Sequence, residues 1–386
     1  MRLLAQTLVL SRLGLAGLPQ HKWSSLVLAG SVACVVGVLL SMLSVTAGLL
    51  RAYRSGADAR VAIVLSADSN LEFGNGIPAN TVGTILDAPG IAPAPDGHPL
   101  GDAEFVLSVP PLDAYVMGAP ELRGIGAAGF ALRPDLRLVA GRRFQPGRQE
   151  VIVGVSAARA YHLRVGDRIS LPDGAWPIVG SFSDHGSILE SQLLGDADTV
   201  LAAGRMSGFS SVRVRLEKPE VFDGFSRWLE SNPALKVSAE RQSDYALRTV
   251  NRSAGFFTGL TYVVGAIMAL GALFGIVKLM YAAVNARTRE IATLRTIGYQ
   301  PLPLALSVLL EAVVLSLAGA LAGAGAAWLL FDGRHVLQMR NAFDLSVSPH
   351  LFGLGVTWAL ALALLGGLPP ALRAARLPVA DALRVV

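Results

Sequence analysis

The sequence predicts an α-helical membrane protein with four transmembrane helices and, between helices 1 and 2, an α+β extracytoplasmic domain. Three observations predict this fold class. Charged residues make up 16% of the chain, well below the roughly 25% of an ordinary soluble domain, so much of the surface must face lipid. Four apolar segments recur along the chain. The long polar stretch between the first two alternates strand and helix patterns.

The four apolar segments are long enough to cross roughly 30 Å of hydrocarbon. The predicted spans are residues 25–50, 256–284, 304–331 and 351–372. The first is too long for the apolar region of a cleaved signal peptide, and residues 1–24 before it form a full amphipathic stretch. We therefore expect the first span to be an uncleaved anchor.

The short flanking segments predict the orientation. Basic residues precede the first span, follow the second and follow the fourth: Arg2, Arg12, Lys22, Arg287, Arg289, Arg295, Arg373, Arg376 and Arg384. Because cytoplasmic loops are enriched in lysine and arginine, both termini (1–24 and 373–386) and the segment 285–303 are expected in the cytoplasm. Residues 51–255 and the loop 332–350 then lie outside.

The extracytoplasmic segment 51–255 predicts one split α/β subdomain with a β-rich insertion at 111–205. Strand–helix–strand patterns lie at both ends of the segment, with the strands "RVAIVLSAD", "AEFVLSVP", "SSVRVRLE" and "LKVSAE". In the insertion, "EVIVG", "DRISLP" and "WPIVGSF" are short predicted strands separated by Gly, Pro and Asp turns. A small helix, "SAARAYHL", is predicted among them.

The residue pattern indicates no catalytic site, no metal site and no nucleic-acid binding. Cys34 is the single cysteine, and the six histidines lack ligand spacing. The chain has no G-x-x-x-x-G-K-[ST] loop for nucleotide phosphates. Ser183, Asp184 and His185 are adjacent, whereas a catalytic triad needs side chains that converge from separate elements. A membrane-anchored enzyme would need a site that the sequence does not reveal.

Two ionisable residues and three glycine pairs lie within or beside the predicted spans. Lys278 and Glu311 are either a proton or substrate contact or a structural feature, with Lys278 extending to the inner surface and Glu311 hydrogen-bonded within the bundle. The pairs Gly255/Gly259, Gly271/Gly275 and Gly319/Gly323 have the spacing that lets helix backbones approach each other. They favour a compact bundle or a dimer, although glycine is common in any span.

The segment 285–303 predicts a short amphipathic helix at the inner membrane face. Ile291, Leu294 and Ile297 are expected on one flank, and Arg289, Thr293 and Thr296 on the other. Gly298 and Pro301 close the helix. Its role is either a connector at the membrane surface or a docking element for a cytoplasmic partner.

Several stretches of the sequence resemble a known protein family. The stretch "RTREIATLRTIGYQPLPLALSVLLEAVVLSLAGALAG" resembles the signature of FtsX-like and MacB-like ABC transporter permeases, in which an R-x-x-E-I-x-x-L-R-x-I-G helix precedes a span with an acidic residue. The ending "LPPALRAARLPVADALR" and the outer motifs "GRRFQPGRQEVIVG" and "YHLRVGDRISL" are similar to the same family. The signature falls on Arg287, Glu290, Ile291, Leu294, Arg295, Ile297 and Gly298, with Glu311 as the acidic residue; Arg289 lies within the same helix.

The resemblance implies a dimeric export permease of a bacterial inner membrane, of the efflux or lipoprotein-release type. It implies separate ATPase subunits that hold ATP and Mg, a second permease (identical or related), and in some systems an adaptor protein. The short helix expected at 285–303 would couple the movement of the ATPase to the outer domain. This chain itself would hold no cofactor. MacB carries its ATPase on the same chain and this sequence does not, which favours separate polypeptides. The alternative is a non-transporting mechanotransmitter that regulates an extracytoplasmic partner such as a cell-wall hydrolase.

Overall fold

The computed structural model describes residues 6–7, 9–10, 12, 22–68, 72, 76–110, 119–338 and 341–376. Most of the predicted N-terminal segment 1–24, the tail beyond Arg376 and the first residues of the predicted insertion, 111–118, lie outside the described residues. The chain divides into two compact units. The helical unit comprises Met1–Ala47, Gly255–Asp332 and Ser346–Val386, and the sheet unit comprises Gly48–Ala254 and Gly333–Leu345.

The described residues from 22 onwards form ten α-helices and fourteen strands. The helices are α1 (Lys22–Ser55), α2 (Ala79–Leu86), α3 (Ala127–Ala131), α4 (Val155–Ala160), α5 (Ala197–Ala203), α6 (Phe222–Glu230), α7 (Gln242–Ala286), α8 (Thr288–Thr296), α9 (Pro301–Phe331) and α10 (Pro349–Arg376). The strands are β1 (Val61–Ser66), β2 (Ile77–Pro78), β3 (Gly101–Ser108), β4 (Glu121–Ile125), β5 (Arg137–Gly141), β6 (Val151–Gly154), β7 (Arg168–Leu171), β8 (Gly174–Ser183), β9 (Leu193–Asp196), β10 (Gly208–Phe209), β11 (Ser211–Arg215), β12 (Val237–Arg241), β13 (His335–Gln338) and β14 (Asn341–Asp344).

Four of these helices are long and apolar enough to cross a membrane, as the sequence predicts: α1, residues 258–286 of α7, α9 and α10. Helices α1 and α7 extend beyond the predicted spans, α1 to Ser55 and α7 back to Gln242. Many of their large apolar side chains are exposed, for example Ile267 at 65% and Phe274 at 72%. Exposed apolar side chains on such helices are suited to lipid or to another membrane helix.

The helical unit is built by close approach of α1 and α9. A Cβ added to Gly319 would collide with the carbonyl oxygen of Ala29, and one added to Gly323 would collide with that of Ala33. These two glycines therefore allow the backbones of α1 and α9 to approach each other closely. The other predicted glycines behave differently: no atom lies within 4 Å of the Cβ position at Gly255, Gly259, Gly271 or Gly275 in the described chain.

The sheet unit contains a ten-stranded sheet in the order β12-β1-β11-β3-β4-β9-β6-β8-β5, with β7 paired to β8. The strands predicted from "RVAIVLSAD", "AEFVLSVP", "SSVRVRLE" and "LKVSAE" form one half of it, and the strands of the predicted insertion form the other half. The halves meet where β3 pairs antiparallel with β4. The insertion therefore extends the same sheet, because its first strand takes the open edge of β3.

Each half of the sheet has its own apolar core. In the first half, Ile85 of α2 and Phe225 and Leu229 of α6 pack on Val64 and Val212 of the sheet. In the second half, the fully buried Trp176 lies in a separate cluster of apolar side chains from β6, β7, β8, α4 and α5. Strands β1 and β6 are buried at every position, so both faces of the sheet are covered there.

A buried cluster of charged side chains lies at the junction of the two halves. Glu104 on β3 accepts hydrogen bonds from Arg123 at 2.6 Å, from Arg213 at 3.0 Å and from Arg133 at 2.6 Å. Glu72 also binds Arg123 at 3.1 Å and Arg213 at 2.8 Å. Although burial raises the pKa of Glu104, the arginines 133, 213 and 123 lower it overall, to about 2.

The buried Asp102 on the same strand should make the free energy of unfolding depend on pH. Burial, followed by the nearby charge of Glu104, raises the pKa of Asp102 to about 7, although the Gly126 N–H that it accepts lowers the pKa. Between the unfolded pKa near 4 and the folded value, the folded chain binds one proton more than the unfolded chain. The free energy of unfolding therefore falls by up to about 1.4 kcal/mol per pH unit as the pH rises from about 4 to about 7.

The variant Asp102→Asn tests this, because the amide keeps an acceptor for Gly126 and does not titrate. Thermal unfolding of the full chain in nanodiscs between pH 5 and 8 should show a smaller pH-dependent decrease for the variant than for the unsubstituted protein. A decrease of equal size in both would assign the pH dependence to other groups.

Candidate functional site

The short helix α8 is the centre of the candidate site, and the backbone fixes both of its ends. Helix α7 ends at Ala286, and Arg287 leaves helical geometry with φ −101° and ψ 13°. At the other end Gly298 has φ +104°, in the left-handed region. Gly298 N–H donates to Arg295 O, and Tyr299 N–H donates to Leu294 O, both at 3.1 Å. This pair of bonds is a Schellman motif, which explains the glycine that the sequence places there.

Helix α8 rests on a small apolar cluster within the helical unit. Ile291 is 7% exposed and packs with Val284 of α7, Leu304 of α9 and Ala374 of α10. Leu294 and Tyr299 are half-buried against the same cluster. The cluster therefore joins α8 to the C-terminal ends of α7 and α10 and to the N-terminal end of α9.

The predicted apolar flank is wrong at one position. Ile297 is 72% exposed, whereas Ile291 is buried. Six residues separate them, and at about 100° per residue this places their side chains about 120° apart around the helix. The outward face of α8 therefore consists of Arg289, Glu290, Thr293, Thr296 and Ile297, which are all exposed.

An ion pair ties the start of α8 to α9. Arg287 Nη1 lies 3.2 Å from Glu311 Oε2, and the side chains are 20% and 10% exposed. Arg295 is half-buried on α8. Lys278 is exposed on α7, and Glu311 accepts a hydrogen bond from Arg287. The sequence predicts Glu311 and Arg287 as site residues separately, and the structure brings them together.

Helix α8 has one exposed face and one packed face. The outward face offers one exposed apolar side chain among charged and hydroxyl groups. The inward face is held against α7, α9 and α10 by apolar packing and by the Arg287–Glu311 pair.

The residues considered for catalysis do not converge. Ser183 donates to Glu190 Oε1 at 2.9 Å, Asp184 binds Ser187, and His185 adopts a left-handed φ of 50° in the turn between them. Burial is the main cause that raises the pKa of Asp184. Among the described residues, no group of three or more histidine, cysteine, aspartate or glutamate side chains is arranged to hold a metal ion.

Parts of the chain are similar to known proteins. Residues 262–379 match the family model described as FtsX-like permease C-terminal. The chain is 28% identical over 185 residues to a Bacillus subtilis (strain 168) protein described as the uncharacterised ABC transporter permease YknZ. That match covers 46% of this chain and 45% of the relative, so it spans about half of either protein.

Among solved structures, the chain is similar to the extracellular domain of the noncanonic ABC-type transporter YknZ from Gram-positive bacteria. The identity is 12% and the TM-score 0.35, over 47% of this chain and 99% of that one. The matched family region begins within α7 and contains α8, α9 and α10, and therefore the whole candidate site from Arg287 to Glu311.

Proposed function

We propose that this chain is an FtsX-like permease and serves as the permease subunit of an ABC export system that is driven by separate cytoplasmic ATPase subunits. The observation that carries the proposal is α8: an exposed face beside a buried face that packs on three long apolar helices. A partner that binds the exposed face can move these helices, and no nucleotide site is needed on this chain.

In this proposal two permease chains, identical or related, form a dimer in a bacterial inner membrane with both termini in the cytoplasm. ATP and Mg are bound by the ATPase subunits. Helix α8 receives their movement, and the sheet unit outside the membrane moves substrate there, with an adaptor protein in some assemblies. The similarity to a permease of an ABC transporter supports the ATPase, and the charged flanks of the spans support the orientation.

Cysteine labelling tests the orientation that the proposal needs. In a Cys34→Ser background, single cysteines replace Lys218 in the sheet unit and Thr296 on α8, both of which are exposed. A membrane-impermeant maleimide should label position 218 in intact spheroplasts, and position 296 only after permeabilisation. Labelling of position 296 in intact spheroplasts would contradict the docking of a cytoplasmic ATPase.

Co-expression with a neighbouring ATPase gene tests the partner. The ATPase should co-purify with the permease in detergent, and its ATP hydrolysis should increase in the complex. Hydrolysis that rises further with an exported compound indicates transport, whereas activation of a cell-wall hydrolase without any exported compound indicates the alternative mechanotransmitter. An ATPase that neither binds nor changes its rate would overturn both.

A further inference from the structure

A cavity of about 720 Å³ lies within the sheet unit and has no part in the proposed docking of an ATPase. Its volume falls in the range of roughly 300–1,000 Å³ that small-molecule sites occupy. One wall is the face of the sheet, with Val61, Ile63 and Val106. The lining also includes Tyr53 at the end of α1 and Tyr245 near the start of α7.

The sheet side of the cavity is the buried charged cluster. Glu72, Arg123, Arg133 and Arg213 all line it, and Glu104 lies behind them as their shared acceptor. The three arginines and two glutamates of the cluster carry one net positive charge, which the nearby Asp102 offsets in part when it is ionised. Buried charge of this kind is costly unless it is compensated.

The hydrogen bonds of the cluster leave donors rather than acceptors available. Glu72 Oε1 accepts from Ser211 and Arg213, and its Oε2 accepts from Arg123. Both oxygens of Glu104 are also occupied by arginines. The carboxylates are thus saturated by the protein itself.

The guanidinium groups are not saturated. Within the described chain, Arg213 donates through Nε and Nη2, and Arg133 through Nη1 and Nη2, which uses two of the five N–H groups that each guanidinium has. Two further donors on lining side chains, Arg215 Nε and Thr249 Oγ1, are buried without a hydrogen-bond partner in the described chain. The unused capacity calls for a ligand that accepts hydrogen bonds.

The acidic groups on the walls have partners of their own or lie at the rim. Asp58 binds Arg60 and Arg215, Asp184 binds Ser187, and Glu121 accepts from Gln192. Asp135 is exposed at the rim, as is Arg252. The strongest unpaired feature of the interior is therefore the positive cluster, beside an apolar surface that includes Ile63, Val106 and Leu189.

We propose that this cavity binds an amphiphilic organic anion, whose carboxylate or phosphate group lies against Arg133 and Arg213 and whose apolar part lies against Ile63 and Val106. The anion offsets the surplus positive charge of the cluster and accepts the unused N–H groups. The tyrosines Tyr53 and Tyr245 supply flat apolar surface with hydroxyl groups. Binding needs only the sheet unit of this chain, and its outcome is independent of any ATPase.

Calorimetric titration of the full chain in phosphatidylcholine nanodiscs tests the site. The probes are 4-phenylbutyrate and phenyl phosphate, with neutral 4-phenylbutanamide and inorganic phosphate as references. One or both organic anions should bind saturably with one site per chain, at least about tenfold more tightly than the amide and than inorganic phosphate. The stronger organic anion identifies the source of the charged group: a carboxylate, as at a peptide terminus, or a phosphate, as in a lipid headgroup.

Two variants and a control test whether the anion binds in this cavity. Arg133→Gln keeps a donor for Glu104 and removes the surplus charge, and it should weaken anion binding about tenfold or more. Arg227→Gln on the exposed face of α6 is the matched control and should leave the affinity unchanged. If Arg133→Gln lowers the thermal midpoint of unfolding, Thr249→Val decides instead, since it removes an unpartnered hydroxyl and should weaken binding by about threefold. Equal binding of anion and amide, absence of saturable binding up to about 10 mM, or affinities unchanged by the deciding variant would each overturn the proposal.

Discussion

Reversing the charge at position 287 is expected to destabilise the end of the helical unit that contains α8 and to abolish stimulation of ATP hydrolysis in the proposed complex. Arg287→Glu places a second carboxylate about where the guanidinium now lies, 3.2 Å from Glu311 Oε2. Glu311 is 8% exposed, so water cannot screen the repulsion well. Breaking a buried pair in this way typically costs about 3–5 kcal/mol, and the partial exposure of Arg287 places the expected loss at the lower end of that range.

Two measurements check this result. The thermal midpoint of the variant in nanodiscs should fall, and the co-purified ATPase should show only its basal rate. The double variant Arg287→Glu with Glu311→Arg restores opposite charges and should recover part of both quantities. Arg227→Glu on the sheet unit is a charge reversal without a buried partner, and it should change neither. An Arg287→Glu variant with normal stability and normal stimulation would remove the pair from the mechanism.

The sequence predicts most of the fold because the elements are strongly periodic or strongly apolar. The spans exceed the length of any ordinary core helix, and strands such as β1 and β11 are bounded by turn residues. The end of α8 also follows from local rules, since Gly298 supplies the left-handed residue that a Schellman motif needs. Local patterns of this kind need no knowledge of distant residues.

Contacts between residues far apart in the chain cannot be predicted from local sequence patterns. Glu72 is 141 positions from Arg213, and no local pattern predicts their contact. A signal does exist for the cluster: β3 and β11 carry the charged residues Glu104 and Arg213 at buried positions, and a charge in a buried strand needs a partner. Similarly, Gly271/Gly275 and Gly319/Gly323 have the same spacing, and only the position of α1 shows which pair lies at a helix contact.

Replacing Ile297 with aspartate is expected to prevent binding of the ATPase while the permease stays folded. Ile297 is 72% exposed and caps the C-terminal end of α8, about one helical turn from the exposed Thr293. In a protein interface, only a minority of side chains contribute more than about 1 kcal/mol, and these lie where water is fully excluded. A charge at this position adds a desolvation cost, so the affinity for the ATPase should fall at least about tenfold, and two copies in a dimer would enlarge the loss.

The comparison with Leu294→Asp separates docking from folding. Leu294 is half-buried in the cluster that holds α8 to the long helices, so an aspartate there should lower the thermal midpoint as well as the affinity. Glu290→Arg, on the exposed face, should behave like Ile297→Asp. Val139→Asp on β5 is the matched control, because Val139 is an aliphatic residue with 62% exposure in the sheet unit. Co-purification yield, the ATPase rate and the thermal midpoint should be measured for all four variants. If Ile297→Asp binds the ATPase as tightly as Val139→Asp does, the partner does not dock on this face of α8, because no other apolar side chain of that face is exposed to receive it.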